Sequence, residues 1–452
     1  MLTRVCLSFL LLATTQVWPQ MGSSVADTAT TSDDEVRMLT PPPVSGKAYL
    51  TMVGSEMRSN YLATGLILNT AYNDNVLGGE STTPMSDITY SIRPTITLDQ
   101  TTPRQHWALT YSPGFTLYQH TAALNAVDQN AALDFQYRLS QHMTISLNGS
   151  FQKSSNVFSQ LYPFSAEGIS GSTQSTRAEV VAPFAQQLST LANMDLNYQI
   201  SRNGMIGASG IVTKQSYPNL SETSGLYDSN SRGGSAFYSH RLSSTQYIGV
   251  TYQYLRDQAN PVNAQTNSVN AQTKVQSHAL LPFYTIYFNP MLSLSLSSGP
   301  QYFNATQSPA PPVHSWTPSA TVSFGWQRSH TNFVASYSRA VTGGVGLPGA
   351  FNSNNANAFA RWQIARTWTI ELAANYATNK NVTPSFSLST PGGHTISGTV
   401  SVQHSLSEHL KAELGYVRLH QSYSGIAVIS NAPDSNRGFI SVSYQFTRPL
   451  GR

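Results

Sequence analysis

The sequence predicts an all-β fold, a transmembrane antiparallel β-barrel of about eighteen strands with short periplasmic turns and long external loops. Only 10% of the 452 residues are charged, whereas a soluble globular chain carries roughly 25%. Beyond the N-terminus, no stretch approaches the ~18 consecutive apolar residues that a membrane helix needs. From about residue 61, apolar and polar residues instead alternate with period two over segments of about ten residues. These observations argue against a cytosolic enzyme and against helical membrane spans.

The N-terminus indicates export from the cytoplasm. Arg4 supplies a short positive region, Val5 to Ala13 an apolar region, and Ser24-Val25-Ala26 a small-x-small cleavage site. We therefore predict a secretory signal peptide over residues 1–26. Cys6, the one cysteine, lies within it. The mature chain would then have no thiol, which excludes disulfides, thiol catalysis and cysteine-based metal sites.

Residues 27–60 differ from the rest of the chain because they show little alternation. They contain Asp33-Asp34-Glu35 and Pro41-Pro42-Pro43, a composition typical of a flexible segment, here expected in the periplasm. The segment is too short for the folded plug of a siderophore-type transporter. A small peptide hatch that threads the lumen is the alternative.

The barrel itself is assigned to residues 61–452. An even number of strands returns the C-terminus to the periplasm, and the alternation gives eighteen, with sixteen as the rival count. A barrel of this size leaves an aqueous lumen, whereas an eight-stranded barrel fills with side chains. The strands are expected at about 61–72, 87–99, 104–118, 128–140, 142–153, 187–201, 203–216, 232–243, 245–258, 272–288, 290–304, 315–328, 330–340, 357–366, 367–378, 393–407, 409–421 and 437–447.

Short and long connections alternate strictly between these strands, which is typical of outer-membrane barrels and has no reason to occur in a soluble sandwich. The short turns are expected near Gln100 to Arg104, Ser140 to His142, Ser201 to Asn203, Ser243 to Thr245, Asn289-Pro290, Arg328 to His330, Arg366-Thr367 and Ser407 to His409. The long external loops are expected at about 73–86, 119–127, 154–186, 217–231, 259–271, 305–314, 341–356, 379–392 and 422–436.

Within each strand the alternation separates a lumen face from a lipid face. On the second strand, for example, Ile88, Tyr90 and Ile92 alternate with Thr89 and Ser91. Cations and anions are in near balance on the predicted lumen faces, so strong charge selectivity does not follow. The simplest interpretation is a set of mutually paired charges in a wet interior, with the lipid faces nearly free of charge. The predicted lumen-lining charges are Arg93, Asp134, Arg138, Asp195, Arg361, Glu371, Lys411 and Glu413.

Aromatic residues near strand ends predict interface girdles, because an apolar ring with a polar tip suits the headgroup level of a bilayer. Packing inside a β-core is an equally ordinary explanation for any single one. The girdle candidates are Trp107, Tyr118, Tyr287, Trp316, Trp326, Trp362, Trp368 and Phe446.

The longest external loop, about 154–186, is the third along the chain. In general porins the third loop folds into the lumen and narrows it. Apolar anchors in this loop favour the same arrangement, and an external lid is the alternative. The predicted constriction residues are Tyr162, Phe164, Glu167 and Glu179.

Catalytic and metal sites are not expected. A barrel hydrolase needs a serine activated by a nearby histidine, and His404-Ser405, His314-Ser315 and His240 with Ser243 are candidates by adjacency alone, in a chain where serine is abundant. The sequence shows no metal-ligand spacing and no cofactor motif. It shows no basic stripe interleaved with aromatics, so no nucleic-acid partner is predicted.

One segment carries a family resemblance. Tyr72-Asn73-Asp74-Asn75-Val76 ends the first strand, Ser86-Asp87 opens the second, and Pro94 and Tyr111 follow. This pattern resembles the β-barrel porin 2 family, which includes outer-membrane barrels that accompany exopolysaccharide loci. The specific part of the match covers about residues 61–150. The resemblance implies an outer-membrane barrel linked to passage of a secreted polysaccharide, and it brings no catalytic residues.

The sequence therefore predicts a non-enzymatic channel in the outer membrane of a Gram-negative-type bacterium. Its expected partners are outer-membrane lipid, small polar solutes or polysaccharide, and polysaccharide-export machinery. One alternative is a surface-anchored barrel with a closed lumen, whose external loops bind a partner. Another is a hydrophobic-substrate transporter, which would need apolar lumen residues at several adjacent positions.

Overall fold

A computed structural model describes most of the predicted barrel, and its strands lie in one compact unit, Met38–Arg452. The predicted signal peptide, residues 1–26, and nearly all of the segment 27–60 lie outside the described residues. Among the described residues, no helix is long and apolar enough to cross a membrane. The described residues are 60–76, 84–102, 104–154, 186–218, 226–261, 272–289, 291–307, 311–343, 347, 349–383, 392–424 and 434–450.

Eighteen strands account for almost all of these residues, together with one short 3-10 turn at Ala122–Leu124. The strands are β1 (Tyr61–Asn73), β2 (Asp87–Thr101), β3 (Gln105–Tyr118), β4 (Ala126–Arg138), β5 (Met143–Ser154), β6 (Gln187–Gln199), β7 (Gly204–Ser216), β8 (Tyr227–Ser243), β9 (Gln246–Pro261), β10 (Thr273–Asn289), β11 (Leu292–Gln307), β12 (Val313–Arg328), β13 (Thr331–Gly343), β14 (Ala350–Ala365), β15 (Trp368–Asn381), β16 (Gly392–Ser405), β17 (Leu410–Ser424) and β18 (Asp434–Pro449).

The strands form one closed antiparallel barrel. Each strand pairs with the next along the chain, and β1 also pairs with β18, from Tyr61 opposite Pro449 to Asn73 opposite Arg437. Each of the described strands therefore has a neighbour on both sides. The predicted count of eighteen is confirmed, and the rival count of sixteen is wrong.

Contacts between distant strands identify the inner face. The carboxylate of Asp257 on β9 accepts a hydrogen bond from the backbone N–H of Gly343 on β13, four strands away, at 2.8 Å. Such a contact can only cross the barrel interior. The residues that share this face are mostly small and polar, such as Thr251 and Ser231, and are buried. The opposite face exposes large apolar residues, including Ile248. An apolar exterior around a polar interior is the arrangement of a transmembrane barrel.

Each of the eight predicted short turns lies at a junction between consecutive strands, although four of them overlap the last one or two residues of the preceding strand, β2, β8, β10 or β12. Two external loops are shorter than expected, because β8 begins at Tyr227 and β14 at Ala350. Segments that look like loops in composition, 227–231 and 350–356, continue the strands instead. Their Ser and Asn residues pair with neighbouring strands, so tertiary pairing overrides local composition.

The Asn73-Asp74-Asn75 motif closes the seam between the first and last strands. The backbone N–H of Asp74 donates to the carbonyl of Asn436 (3.1 Å), and the Asp74 carboxylate accepts the backbone and side-chain N–H groups of Asn436 at 2.7 and 2.5 Å. The Asn75 side chain donates to the Asp434 carbonyl (3.3 Å). The motif therefore fastens β1 to β18 at the external rim, which is a structural role.

Candidate functional site: an inward hairpin between strands 13 and 14

The external end of β13 leaves the barrel wall. It pairs with β12 only from Thr331 to Arg339, the latter opposite Ala320, whereas it pairs with β14 as far as Gly343 opposite Ala350. Beyond Arg339, the edge of β13 that faces β12 has no strand partner among the described residues. The β13–β14 hairpin is thus free to leave the line of the wall.

Apolar packing shows where the hairpin goes. Val341 and Ala350 pack against Val275 on β10 and against Phe303 and Ala305 on β11, and all five are at most 4% exposed. The three wall residues lie on the inner face. Alternation places Val341 on the same face of β13 as Tyr337, which is exposed on the barrel exterior. The hairpin therefore lies inside the barrel. The face of β13 that points outward at Tyr337 packs, at Val341, against the inner wall of β10 and β11.

Two polar side chains bond the free edge of β13. The Gln301 amide donates to the carbonyl of Val341 and accepts its N–H, both at 2.8 Å. The Asp257 carboxylate accepts the N–H of Gly343 at 2.8 Å and the hydroxyl of Ser231. Buried backbone groups need such partners, because an unsatisfied group costs about 1–3 kcal/mol. Gln301 and Asp257 therefore replace the ladder that β12 does not supply.

The approach of Gly343 to Asp257 requires a residue without a side chain. A Cβ atom at position 343 would lie 2.4 Å from the Cβ of Asp257, far inside van der Waals contact. Glycine is the residue that permits such close backbone approach. Gly343 thus determines how closely the hairpin lies against the wall.

A hydrogen-bonded chain continues along the inner face from the hairpin. The Ser353 hydroxyl donates to the Asn379 side chain (2.7 Å), whose amide donates to the Tyr423 hydroxyl (2.8 Å). Beside them, the Thr395 hydroxyl donates to Gln421 (3.2 Å). These hydrogen bonds join β14, β15 and β17. They therefore anchor β14, which is the second strand of the hairpin.

Across the barrel, the inner face carries a second polar cluster. Gly114 on β3 lies between Arg93 on β2 and Asp128 on β4. A Cβ atom at position 114 would lie 3.5 Å from Arg93 Nε and 3.7 Å from Asp128 Cβ. On β18, Arg437 donates to the Asn69 side chain (3.4 Å). The external half of the interior therefore carries both signs, with Asp128 in this cluster and Asp257 at the hairpin as its acidic groups.

The register puts the eight charges proposed from the sequence on inward-facing positions, but it does not gather them into one site. Arg361 and Glu371 form an ion pair (3.4 Å). Asp195 accepts the Asn193 amide (2.6 Å), and Glu413 accepts the Ser441 hydroxyl (3.3 Å). The eight are distributed over six strands, mainly in the periplasmic half. They are Arg93, Asp134, Arg138, Asp195, Arg361, Glu371, Lys411 and Glu413.

The hairpin and its partners were not anticipated from the sequence. The predicted constriction residues Tyr162, Phe164, Glu167 and Glu179 lie outside the described residues, so that expectation stays a prediction. Asp257 gave one weak signal, because it is the only carboxylate on the inner face of β9, and Gln301 gave none, because Gln307 shares its face of β11.

Two expectations about the faces are corrected. Tyr118 and Tyr287 are predicted girdle residues, but each lies two positions after a buried inner-face threonine, Thr116 or Thr285. Residues two apart on a strand share a face, so both tyrosines are on the inner face. The outer face was expected to be nearly free of charge. That holds for the apolar band, but outward positions near the external strand ends carry Lys153, Lys214, Arg232, Arg256, Lys274, Lys380 and Arg418.

Two of the three serine–histidine candidates fail on geometry. Successive strand residues point to opposite faces, so His404 and Ser405, or His314 and Ser315, cannot meet on one face. His404 instead stacks on Trp368, with ring centroids 4.1 Å apart. These adjacent pairs do not form a dyad.

A closed antiparallel barrel with an apolar exterior and a polar interior defines this chain as a transmembrane β-barrel protein of the outer-membrane type. The sequence matches no family profile and no curated protein. Among solved structures, the chain is similar to the outer membrane protein OpdK from Pseudomonas aeruginosa, at 9% identity and a TM-score of 0.38, over 86% of this chain and 99% of that one.

Two further solved structures show similarity at the same level. OccK2 (OpdF) of Pseudomonas aeruginosa, in complex with glucuronate, is 10% identical over 86% of this chain and 98% of that one, with a TM-score of 0.41. The ferric citrate transporter FecA, in the unliganded form, is 12% identical over 85% of this chain, with a TM-score of 0.43. The chain spans 64% of the length of that transporter.

Proposed function

We propose that this protein is an outer-membrane channel for passive passage of polar solutes, narrowed on one side by the β13–β14 hairpin. The observation that carries the proposal is the polar inner face of a closed eighteen-stranded barrel. Barrels of 16–18 strands are wide enough to leave an aqueous channel. Hydroxyl and amide groups on the inner face would keep such a lumen hydrated.

Charge along the lumen favours weak selectivity. In the periplasmic half, Arg361 pairs with Glu371, so neither presents a free charge to a passing ion. In the external half, Asp128 and Asp257 accompany Arg93 and Arg437 on the inner face. No described position shows a ring of one sign, which is what strong ion selectivity requires. Solute size and hydrogen-bonding capacity would then decide passage.

A sharper form of the proposal is a role in exopolysaccharide export. One feature supports it, the resemblance of residues 61–150 to barrels that accompany exopolysaccharide loci. In this form, polysaccharide-export machinery would be a partner. Deleting the gene should lower the amount of secreted polysaccharide, and a normal amount would refute this form while leaving the channel intact.

Planar-bilayer recording tests the channel itself. The purified protein should give stepwise conductance, and liposomes that contain it should swell in neutral oligosaccharides up to a size limit. The control is the same preparation after heat unfolding, which should give no steps. If the folded barrel conducts at no voltage, the closed, surface-anchored alternative is the correct one.

A further inference from the structure

Four cations lie side by side on the outer face of the barrel near its external rim. Lys214, Arg232, Arg256 and Lys274 occupy outward positions on the consecutive strands β7, β8, β9 and β10. We call this group the basic collar. The outward residues below it on the same strands are apolar or aromatic and exposed, such as Val212. The collar therefore begins where the lipid-facing band ends.

The register brings the four charges together. Arg232 lies directly opposite Arg256, while Lys214 lies opposite Asn230 and Lys274 opposite Gln258, one step diagonally from the nearest arginine. Like charges directly opposite each other on a sheet face destabilise the pair. The arrangement thus has a cost that an anion between the two guanidinium groups would remove.

The described part of the chain supplies no such anion. The nearest outward carboxylate on these strands is Asp228, which accepts the backbone N–H of Tyr217 (2.9 Å). The arginine ion pairs on described strands involve other residues, Arg361 with Glu371 and Arg418 with Asp434. Lys214, Arg232 and Arg256 are exposed and Lys274 is half-buried, so a ligand outside the barrel can reach the collar.

An aromatic girdle fixes the level of the collar relative to the membrane. Just below it, the Tyr252 hydroxyl bonds to His278 (2.7 Å), and the His278 ring lies 5.0 Å from that of Tyr254. Aromatic rings with polar tips lie at the headgroup level of a bilayer. Arg256 is two residues beyond Tyr254, about 7 Å farther along the strand. The collar thus faces the headgroups of the external leaflet.

We propose that the basic collar is a binding site for the phosphate groups of lipid headgroups in the external leaflet. Two adjacent guanidinium groups can each bind phosphate through two parallel N–H···O bonds, with the two lysines as flanking point charges. Among the described residues, the periplasmic rim has no equivalent. Its outward strand cations, Arg328 and Arg448, lie on the non-adjacent strands β12 and β18. The proposal concerns the outer surface and does not depend on conduction through the lumen.

The test compares R232Q/R256Q with the matched control R328Q/R448Q, which removes two outward arginines from the other rim. Binding of bisphosphorylated lipid A to the detergent-solubilised barrel would be titrated, with phosphatidylcholine and inorganic phosphate as comparison ligands. Each cation near a lipid surface contributes on the order of 1 kcal/mol, so the collar variant should bind lipid A about 10- to 30-fold more weakly. The control should stay within about twofold of the wild type.

Three results would overturn the proposal: equal lipid A affinity in the collar variant and the wild type, an equal loss in the control, or binding of inorganic phosphate as tight as that of lipid A. R232K/R256K should lose part of the affinity, since charge is kept and bidentate geometry is lost. Folding of every variant is checked by heat-modifiable migration on a gel. If the double variant does not fold, R256Q alone is titrated. Its affinity for lipid A should also fall, but by a smaller factor than in the double variant.

Discussion

The barrel wall is paired along the whole β1–β18 junction, whereas the β12–β13 junction is paired over only part of its length. At both junctions, backbone groups near the external end bond to side chains, but the two arrangements differ. The β1–β18 ladder runs over thirteen residue pairs and ends in the hydrogen bonds between Asp74 and Asn436. The β12–β13 ladder runs over nine pairs and stops at Arg339. There the free edge of β13 bonds to Gln301 and Asp257 across the interior. A wall junction can therefore be shortened while backbone groups such as those of Val341 and Gly343 keep hydrogen-bond partners, because side chains from the neighbouring wall strands β9 and β11 replace the missing strand.

The largest effect is expected from removing both side chains that hold the hairpin. D257A/Q301A deletes three hydrogen bonds to β13, together about 3 kcal/mol or roughly a hundredfold change in the hairpin's equilibrium. The variant should conduct more than the wild type and fluctuate between levels in bilayer recordings. T251A/S297A, on the same two strands and the same inner face, should conduct like the wild type. Equal conductance in all three proteins would show that the hairpin does not narrow the lumen.

Substitutions at the β1–β18 junction should lower the stability of the folded barrel and leave its conductance unchanged. D74A removes the acceptor of two Asn436 N–H groups and should cost about 2–3 kcal/mol, because charged hydrogen bonds contribute more than neutral ones. The measurement is the temperature at which the folded, fast-migrating form disappears on a gel. N75A, whose bond to the Asp434 carbonyl is longer at 3.3 Å, should lower that temperature less. A larger loss in N75A than in D74A would contradict the assignment of the seam to Asp74.

A smaller effect should follow from adding one methyl group at the hairpin. G343A places a Cβ against Asp257, and overpacking of this kind costs about 1–3 kcal/mol. The hairpin should shift away from β9, which would raise conductance by less than D257A/Q301A does. G210A is the matched control, since a Cβ at position 210 would meet nothing within 4 Å. Unchanged conductance in G343A would mean that the hairpin tolerates the shift in place.

The sequence was sufficient for the strand count, the turns and the two faces, because period-two alternation and connection length are local properties. Tyr118 and Tyr287 were misassigned because an aromatic residue near a strand end suits either face, and only register against buried Thr116 and Thr285 decides between them. The basic collar was missed because Arg232 and Arg256 lie 24 positions apart (256 − 232), and only strand pairing makes them neighbours.

The inward hairpin could not be predicted at all from alternation. Val341 keeps the same period whether β13 continues in the wall or folds inward, so the pattern carries no information about direction. What decides it is contact with Val275, which lies three strands away in the barrel. Likewise, nothing in the sequence around Asp257 indicates that its carboxylate bonds to Gly343.

A cysteine pair tests the position of the hairpin most directly. V275C on β10 and V341C on β13 would bring two thiols together in a chain whose one natural cysteine, Cys6, lies in the predicted signal peptide. If the hairpin lies inside the barrel, mild oxidation should form an intramolecular disulfide, seen as a shift in gel migration that reductant reverses. V275C paired with Y337C, whose side chain is exposed on the exterior, should not crosslink. Failure of V275C/V341C to crosslink, in a variant that folds, would contradict the inward hairpin and the narrowed channel built on it.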